Sequence, residues 1–385
     1  MKILLLSGYH AASHKYWTDG MVRALDEHQW HCLSLPARHF NWRIRGAPLS
    51  WLSEQSAVLE QDYELVIATS MVDLATLKGL VPSIARTPCL YYCHENQFEY
   101  PRNFRQHASV DAQMVNLYAA LAADRVLFNS AFNRDSFFAG VNRLLNKLPD
   151  HQPATIEPLL ADRCQILPVP LVIKNMAESL TDNLKASPHQ AETPERVSQR
   201  WQCLADSNTV KILWAARWEY DKGPDRLLAV MQQLERCGTD YKLCILGEQF
   251  RRVPPQFETI ERQFSHRLVQ FGYAESREAY QGWLASADMV LSTSIHEFQG
   301  IAVLEAIAAG CVPILPSRLA YPELVAPQFL YASHIDDVEQ EALAAVALIH
   351  SHQVQRTEAP AVDHFTWPQL RSQYAAVLAE TVAGS

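Results

Sequence analysis

No two cysteines in this 385-residue chain are spaced as Cys-x-x-Cys; the eight are scattered, several inside apolar runs such as KLCILG. That excludes a zinc ribbon or a thioredoxin-like redox motif and fits free thiols kept in a reducing cytoplasm. Nor does a Gly-x-Gly-x-x-Gly follow any apolar run, which removes the dinucleotide fingerprint of nicotinamide enzymes. Apolar runs stay short of the roughly 20 residues of a membrane span. The longest, 300–316, carries Glu305 and two prolines. The opening run, Ile3 to Leu6, is shorter than the roughly 7–15 residue core of a secretory signal, so neither export nor a membrane anchor is expected. Basic charge is also scarce. The net charge is −9, with the acid excess concentrated in the second half. A large counterion-release term for nucleic acid is therefore not expected, and any polyanion should bind the first half.

What is present is apolar material in a regular rhythm. Hydrophobic residues make up 48% of the chain and charged residues 19%, enough to build interiors. The length exceeds one ordinary domain. KILLLS, ELVIATS, CLYYCH and RVLFNS alternate with amphipathic stretches, which predicts βαβ units on a parallel sheet. The rhythm lapses into polar residues at 171–209 and restarts with VKILWAAR, YKLCILG, RLVQFGY, DMVLSTS and CVPILP. The expected organisation is an N-terminal Rossmann-like domain over 1–170, a polar linker or insertion over 171–209, a second α/β domain over 210–365, and a final helix over 366–385. Open parallel sheets bind ligands beyond the carboxyl ends of their strands, so the loops there are the places to search.

The loop after the seventh strand reads ARWEYDKG, with Arg217 and Lys222 at opposite ends of a short turn. A guanidinium fork and a compact ammonium together suit a leaving diphosphate. A surface turn with solvated charges is the other reading of this pair. In HEFQGIAVLEAIAAGCVP, Glu297 precedes a predicted helix that opens near Gly300, where free backbone N–H groups attract phosphate oxygens. Glu305 lies more than a turn inside that helix among apolar neighbours. It needs a partner, either the paired hydroxyls of a ribose or a neighbouring strand or arginine.

Arg217, Lys222 and the Glu-x7-Glu element resemble the donor site of retaining GT-B glycosyltransferases of family 4. The resemblance covers essentially the whole second domain, and FTWPQLRSQYAAVL resembles that family's closing segment. It implies a GT-B fold, two doubly wound domains facing across a cleft, with the C-terminal helix crossing back to the first. It also implies that Arg217 and Lys222 hold the donor diphosphate, Glu297 the sugar hydroxyls, Glu305 the ribose, Gly300 and Ile301 the phosphate through their amides, and Gly247 the nucleotide.

In the first half, SGYHAASHK, LPARHFNWRIR and YYCHENQFEYPRN resemble the tRNA-queuosine alpha-mannosyltransferases and their bacterial relatives, which use GDP-mannose. That group tends to have Gly-Gly where Ala11 and Ala12 stand here. The resemblance implies acceptor contacts from Ser13, His14, Lys15, Asn96 and Arg102, together with a basic and aromatic segment holding Arg38, Trp42 and Arg43. Ser13 is equally read as the cap of the first helix. The other reading of the basic and aromatic segment is that Phe40 and Trp42 are buried anchors and the arginines ordinary surface charges. His94 ends an apolar strand and opens a polar run, which suits a sugar contact; a core histidine is the ordinary reading. Cys89, Cys93 and His94 lie along one β-like run with alternating faces and do not form a metal site.

The expected reaction is transfer of mannose from GDP-mannose to the cyclopentenediol of queuosine in the tRNA anticodon loop. No Asp-x-Asp occurs, so no metal and no cofactor is expected. Other readings stay open: a family-4 enzyme with another nucleotide sugar or a lipid or small-molecule acceptor, an epimerase or phosphorylase, and a non-catalytic tRNA-binding module. The nucleobase and the oligomeric state are not readable from these residues.

Overall fold

Six successive residues of β1 (Lys2–His10) are buried, the pattern of a strand covered by helices on both faces. The computed structural model describes the chain except residues 100–109, 148–152, 154, 173–192, 205, 207, 251 and 385. Two units result, one of Met1–Pro170 with Phe365–Ser385, the other of Leu171–His364.

The first unit is a parallel sheet of β1, β2 (Gln29–Pro36), β3 (Leu65–Thr69), β4 (Cys89–Cys93), β5 (Arg125–Phe128) and β6 (Cys164–Ile166), in the order β2-β1-β3-β4-β5-β6. The strand order reverses between β1 and β3, so the loops after these two strands diverge and leave a crevice at their carboxyl ends. Helix α1 (Ala12–Ala24) follows β1, and α2 (Phe40–Glu54) follows the edge strand β2. The helix Trp367–Ala383 belongs to this unit. The Tyr374 hydroxyl accepts from Trp17 Nε1 (3.0 Å) and donates to the Pro168 carbonyl (2.9 Å).

The second unit is a parallel sheet of β7 (Val210–Ala215), β8 (Tyr241–Leu246), β9 (Leu268–Gly272), β10 (Met289–Leu291), β11 (Val312–Pro316) and β12 (Leu330–Tyr331), in the order β12-β11-β10-β7-β8-β9. Here the reversal falls between β7 and β10. The segment ARWEYDKG leaves β7 and STSIHEFQG leaves β10, so the switch point brings both motifs to one place.

The interval 171–209 is not all linker. Pro194–Leu204 is a helix of the second unit, with Val197 and Trp201 buried. Trp201 meets Trp283 edge-on at 5.9 Å, and burying a large apolar side chain contributes about 1.5–3 kcal/mol. Among the described residues, no helix is long and apolar enough to cross a membrane.

Candidate functional site

Tyr220–Lys222 forms a single 3-10 turn after β7, closed by Gly223 in the left-handed region (φ 65°). A Cβ at Gly223 would lie 2.1 Å from the Thr293 carbonyl oxygen, so only glycine lets the two loops approach this closely. The Thr293 hydroxyl donates to the Lys222 carbonyl (2.8 Å), and the Ile295 amide donates to the Asp221 carbonyl (2.9 Å). Arg318 supports the far side of the second loop, its Nε donating to the Ser294 carbonyl (2.9 Å) while Glu341 holds its other nitrogens.

This clamping brings Arg217, Lys222 and Glu297 together. Lys222 is 7% exposed, and its Nζ donates to the His296 carbonyl (2.8 Å) and to Glu297 Oε2 (3.1 Å). Burial alone would lower its pKa, but Glu297 and Asp221 more than reverse this and hold the ammonium charged above the usual lysine range. Burial likewise opposes the Asp221 charge, and Lys222, His296 and Arg217 outweigh it, keeping that carboxyl well below its usual range. Glu297 follows the same logic with Lys222 as its main support. Arg217 places Nη1 2.7 Å from Glu219 and Nη2 3.7 Å from Asp221. The cations are thus already matched by acids.

Gly300, also left-handed (φ 76°), opens the helix Ile301–Ala308. Gly300 and Glu297 line one crevice with Ser292, Ser294 and Tyr321, and Trp214 to Ala216 at the end of β7 complete it. Gly247 has a different part from the one expected. Its amide donates to the Gly272 carbonyl (3.1 Å), and a Cβ there would fall 1.8 Å from the Ala216 oxygen. It lets two loops touch and has no amide left for a nucleotide. Of the two readings of Glu305, the structure shows the arginine partner. Arg277 Nη2 (2.5 Å) and the Tyr280 hydroxyl (2.9 Å) already donate to its two oxygens. Which arginine it is could not be read from the segment itself, since Arg277 and Tyr280 come from the helix Arg277–Ser286, a different stretch of chain.

In the first unit, His94 directly follows β4 and is 6% exposed. Its ring stacks on His14 (4.2 Å, 28°) and packs against Trp17 and Tyr92. Burial, then the neighbouring His14 and His10, hold its pKa well below the ordinary value. Glu95, which sequence reasoning passed over, accepts from Ser70 (2.7 Å) and meets His14 Nε2 at 3.2 Å. His14 Nδ1 and His94 Nε2 are buried without a hydrogen-bond partner among the described residues. Unpartnered buried nitrogens are uncommon in folded proteins and mark a place where a ligand hydroxyl could bond.

Ser13 and Lys15 are exposed. The first helix is capped by Ala11 with no side-chain bond, so Ser13 is not its cap. Asn96 is not an acceptor contact. It is fully buried, its amide donates to Asn133 and Ser136, and its oxygen accepts from the Phe98 and Glu99 amides. Arg38 is exposed, and Trp42 and Arg43 lie on the first turn of α2. Phe40 packs on Tyr9 (6.0 Å), whereas Trp42 is 54% exposed, so only the first of these aromatics is an anchor. Arg45 pairs with Asp73 (2.8 Å). Arg102 lies outside the described residues. Among the described residues, no three His, Cys, Asp or Glu side chains converge as metal ligands would.

Residues 2–171 match the family model described as tRNA-queuosine alpha-mannosyltransferase N-terminal, and residues 195–350 match Glycosyl transferases group 1. The tRNA-queuosine alpha-mannosyltransferase of Drosophila melanogaster is 33% identical over 329 residues, covering 86% of this chain and 83% of that protein. A GDP-mannose-dependent alpha-(1-6)-phosphatidylinositol dimannoside mannosyltransferase of Mycobacterium tuberculosis is 30% identical over 138 residues, 36% of this chain and 34% of its own. In structure, sucrose-phosphate synthase from Thermosynechococcus elongatus superposes with a TM-score of 0.67 at 14% identity, covering 100% of both chains. The two parallel α/β sheets are those of a GT-B glycosyltransferase. With its N-terminal unit and its glycosyltransferase unit both accounted for along one relative, the chain belongs to the tRNA-queuosine alpha-mannosyltransferase family.

Proposed function

We propose that this glycosyltransferase moves mannose from GDP-mannose to a hydroxyl of the cyclopentenediol of queuosine in a tRNA anticodon loop, with retention at the anomeric carbon. The observation that carries the reading is the linked charge set Arg217–Asp221–Lys222–Glu297, whose last member lines one switch-point crevice with Gly300 at the N-terminus of Ile301–Ala308. The Drosophila relative's name supports the acceptor, and the mycobacterial relative's name supports the donor.

Leaving-group stabilisation dominates the chemistry. Arg217 and Lys222 neutralise the departing diphosphate together with the helix amides. Glu297 orients the hydroxyls of the transferred sugar. The diphosphate oxygen that is released accepts the proton of the attacking hydroxyl, so no separate base is required. His94 serves the acceptor unit, where its neutral imidazole can bond a hydroxyl.

Mass spectrometry of queuosine-containing tRNA incubated with GDP-mannose and the protein tests this. The expected product is one hexose heavier at the queuosine nucleoside, and an unchanged nucleoside overturns the reading. The cations fill the charge role without a metal, so turnover should survive EDTA; loss of turnover restored by Mn²⁺ would reject that part.

A further inference from the structure

On the flank of the first unit, between α1 and the edge strand β2, lies a cavity of about 500 Å³ that the reading above does not use. Leu5, Val22 and Leu33 give it apolar walls, while His10, Thr18 and Asp19 supply polar groups. Thr18 is 5% exposed, yet its hydroxyl has no hydrogen-bond partner among the described residues. An orphaned buried hydroxyl lining a cavity asks for a ligand atom. Asp19 pairs with Lys15 one turn back on the helix surface, both half-exposed, a contact weak enough for a ligand to displace. His10 sits at the carboxyl end of β1, its Nδ1 3.0 Å from the Ser7 hydroxyl. His14 and His94 are near enough to couple with it electrostatically.

We propose that this cavity receives the queuosine base itself, flipped out of the anticodon stack, with Asp19 accepting from its ring N–H and exocyclic amine and Thr18 bonding a further ring atom. The inference rests on the proposed function. Queuosine is a 7-deazaguanosine, and its guanine-type edge presents two adjacent donors, which match the two oxygens of a carboxylate. Adenine presents an acceptor beside a donor there, which a carboxylate repels. Val22 and Leu33 offer apolar surface to the ring. The cyclopentenediol arm leaves the far side of the base, so it extends toward His10 and the carboxyl end of the sheet. Extrusion of a target base is the general solution when chemistry must reach a stacked nucleotide.

Cys32 also lines the cavity and is exposed, and Cys237, exposed in the second unit, is an internal reference. In the wild-type protein, queuosine nucleoside at ten times its dissociation constant should slow maleimide labelling of Cys32 about tenfold relative to Cys237. Guanosine should protect as well, and adenosine should not. Failure of queuosine to protect, or equal protection by adenosine, overturns the proposal. Asp19→Asn should raise KM for queuosine tRNA about tenfold with a smaller change in kcat, with GDP binding as the control for folding; an unchanged KM overturns it. If the wild type leaves queuosine tRNA unmannosylated, the functional reading fails, while nucleoside protection still judges the cavity on its own.

Discussion

At the residue scale the donor crevice is a matched set of charges, and removing one member exposes the others. Lys222→Ala leaves the buried Asp221 and the half-buried Glu297 with no ammonium between them. Turnover should fall about 100-fold or more, the scale of losing one oriented stabilising group, as followed by GDP release with queuosine tRNA. The histidines of the first unit make a separate pH prediction. His94 is held well below its ordinary pKa by burial, so the unfolded chain takes up its proton first as the pH drops. Stability from this source is complete above about pH 6.5 and declines below it. The depressed carboxylates Asp221 and Glu297 act only at more acid pH, below about 4.5. Melting temperature should therefore fall between pH 7 and pH 5.5, and His94→Gln should flatten that slope; parallel slopes in the two proteins would contradict the assignment. Arg217 and His94 were singled out because each stands just past a strand pattern, and Lys222 and Glu297 because they are charged residues in the loops beyond β7 and β10. Asn96 obeyed the same pattern and misled, because a turn also needs a buried amide, and that need leaves no mark in spacing.

At the scale of elements, the sequence rhythm located the long central strands well, since runs buried on both faces are unmistakable. It missed the edge strand β2 and the helix α2, where side chains alternate between solvent and core and the apolar signal thins. It read Pro194–Leu204 as part of a polar linker or insertion and did not assign it to the second unit, although Val197 and Trp201, four apart, mark one helix face. The meeting of the loops after β7 and β10 was not legible from periodicity or spacing, because it follows from strand order across the sheet; the family resemblance alone implied it. Gly223 is the hinge of that meeting. Gly223→Ala meets both a left-handed backbone and the Thr293 oxygen, so a loss of about 1–3 kcal/mol of stability is expected from strain alone. Thermal melting checks the stability. GDP titration checks the loops, and affinity should fall with it; a variant melting and binding like wild type would remove the hinge.

At the scale of the molecule, the acid excess sits in the second half, and cations that could meet tRNA lie around the start of α2 in the first unit, Arg38 exposed, Arg43 half-buried and Arg45 exposed but paired with Asp73. Arg38, Arg43 and Arg45 can neutralise about three phosphates, which gives a log–log salt slope of about −2 to −3. Filter binding of queuosine tRNA across a salt series measures it, and a slope near −8 would require a much larger contact. Charge bookkeeping made this visible in advance; the helix that carries the arginines was not.

The hydroxyl of Tyr374 has one more implication, for biosynthesis. It joins the first helix to the end of the sixth strand from a position 357 residues beyond Trp17. A ribosome must therefore release the whole stretch from Trp17 to Tyr374 before the N-terminal unit acquires this packing layer. A message cut short by a premature stop codon would yield a product whose earliest-made part is left open, a natural target for proteolysis.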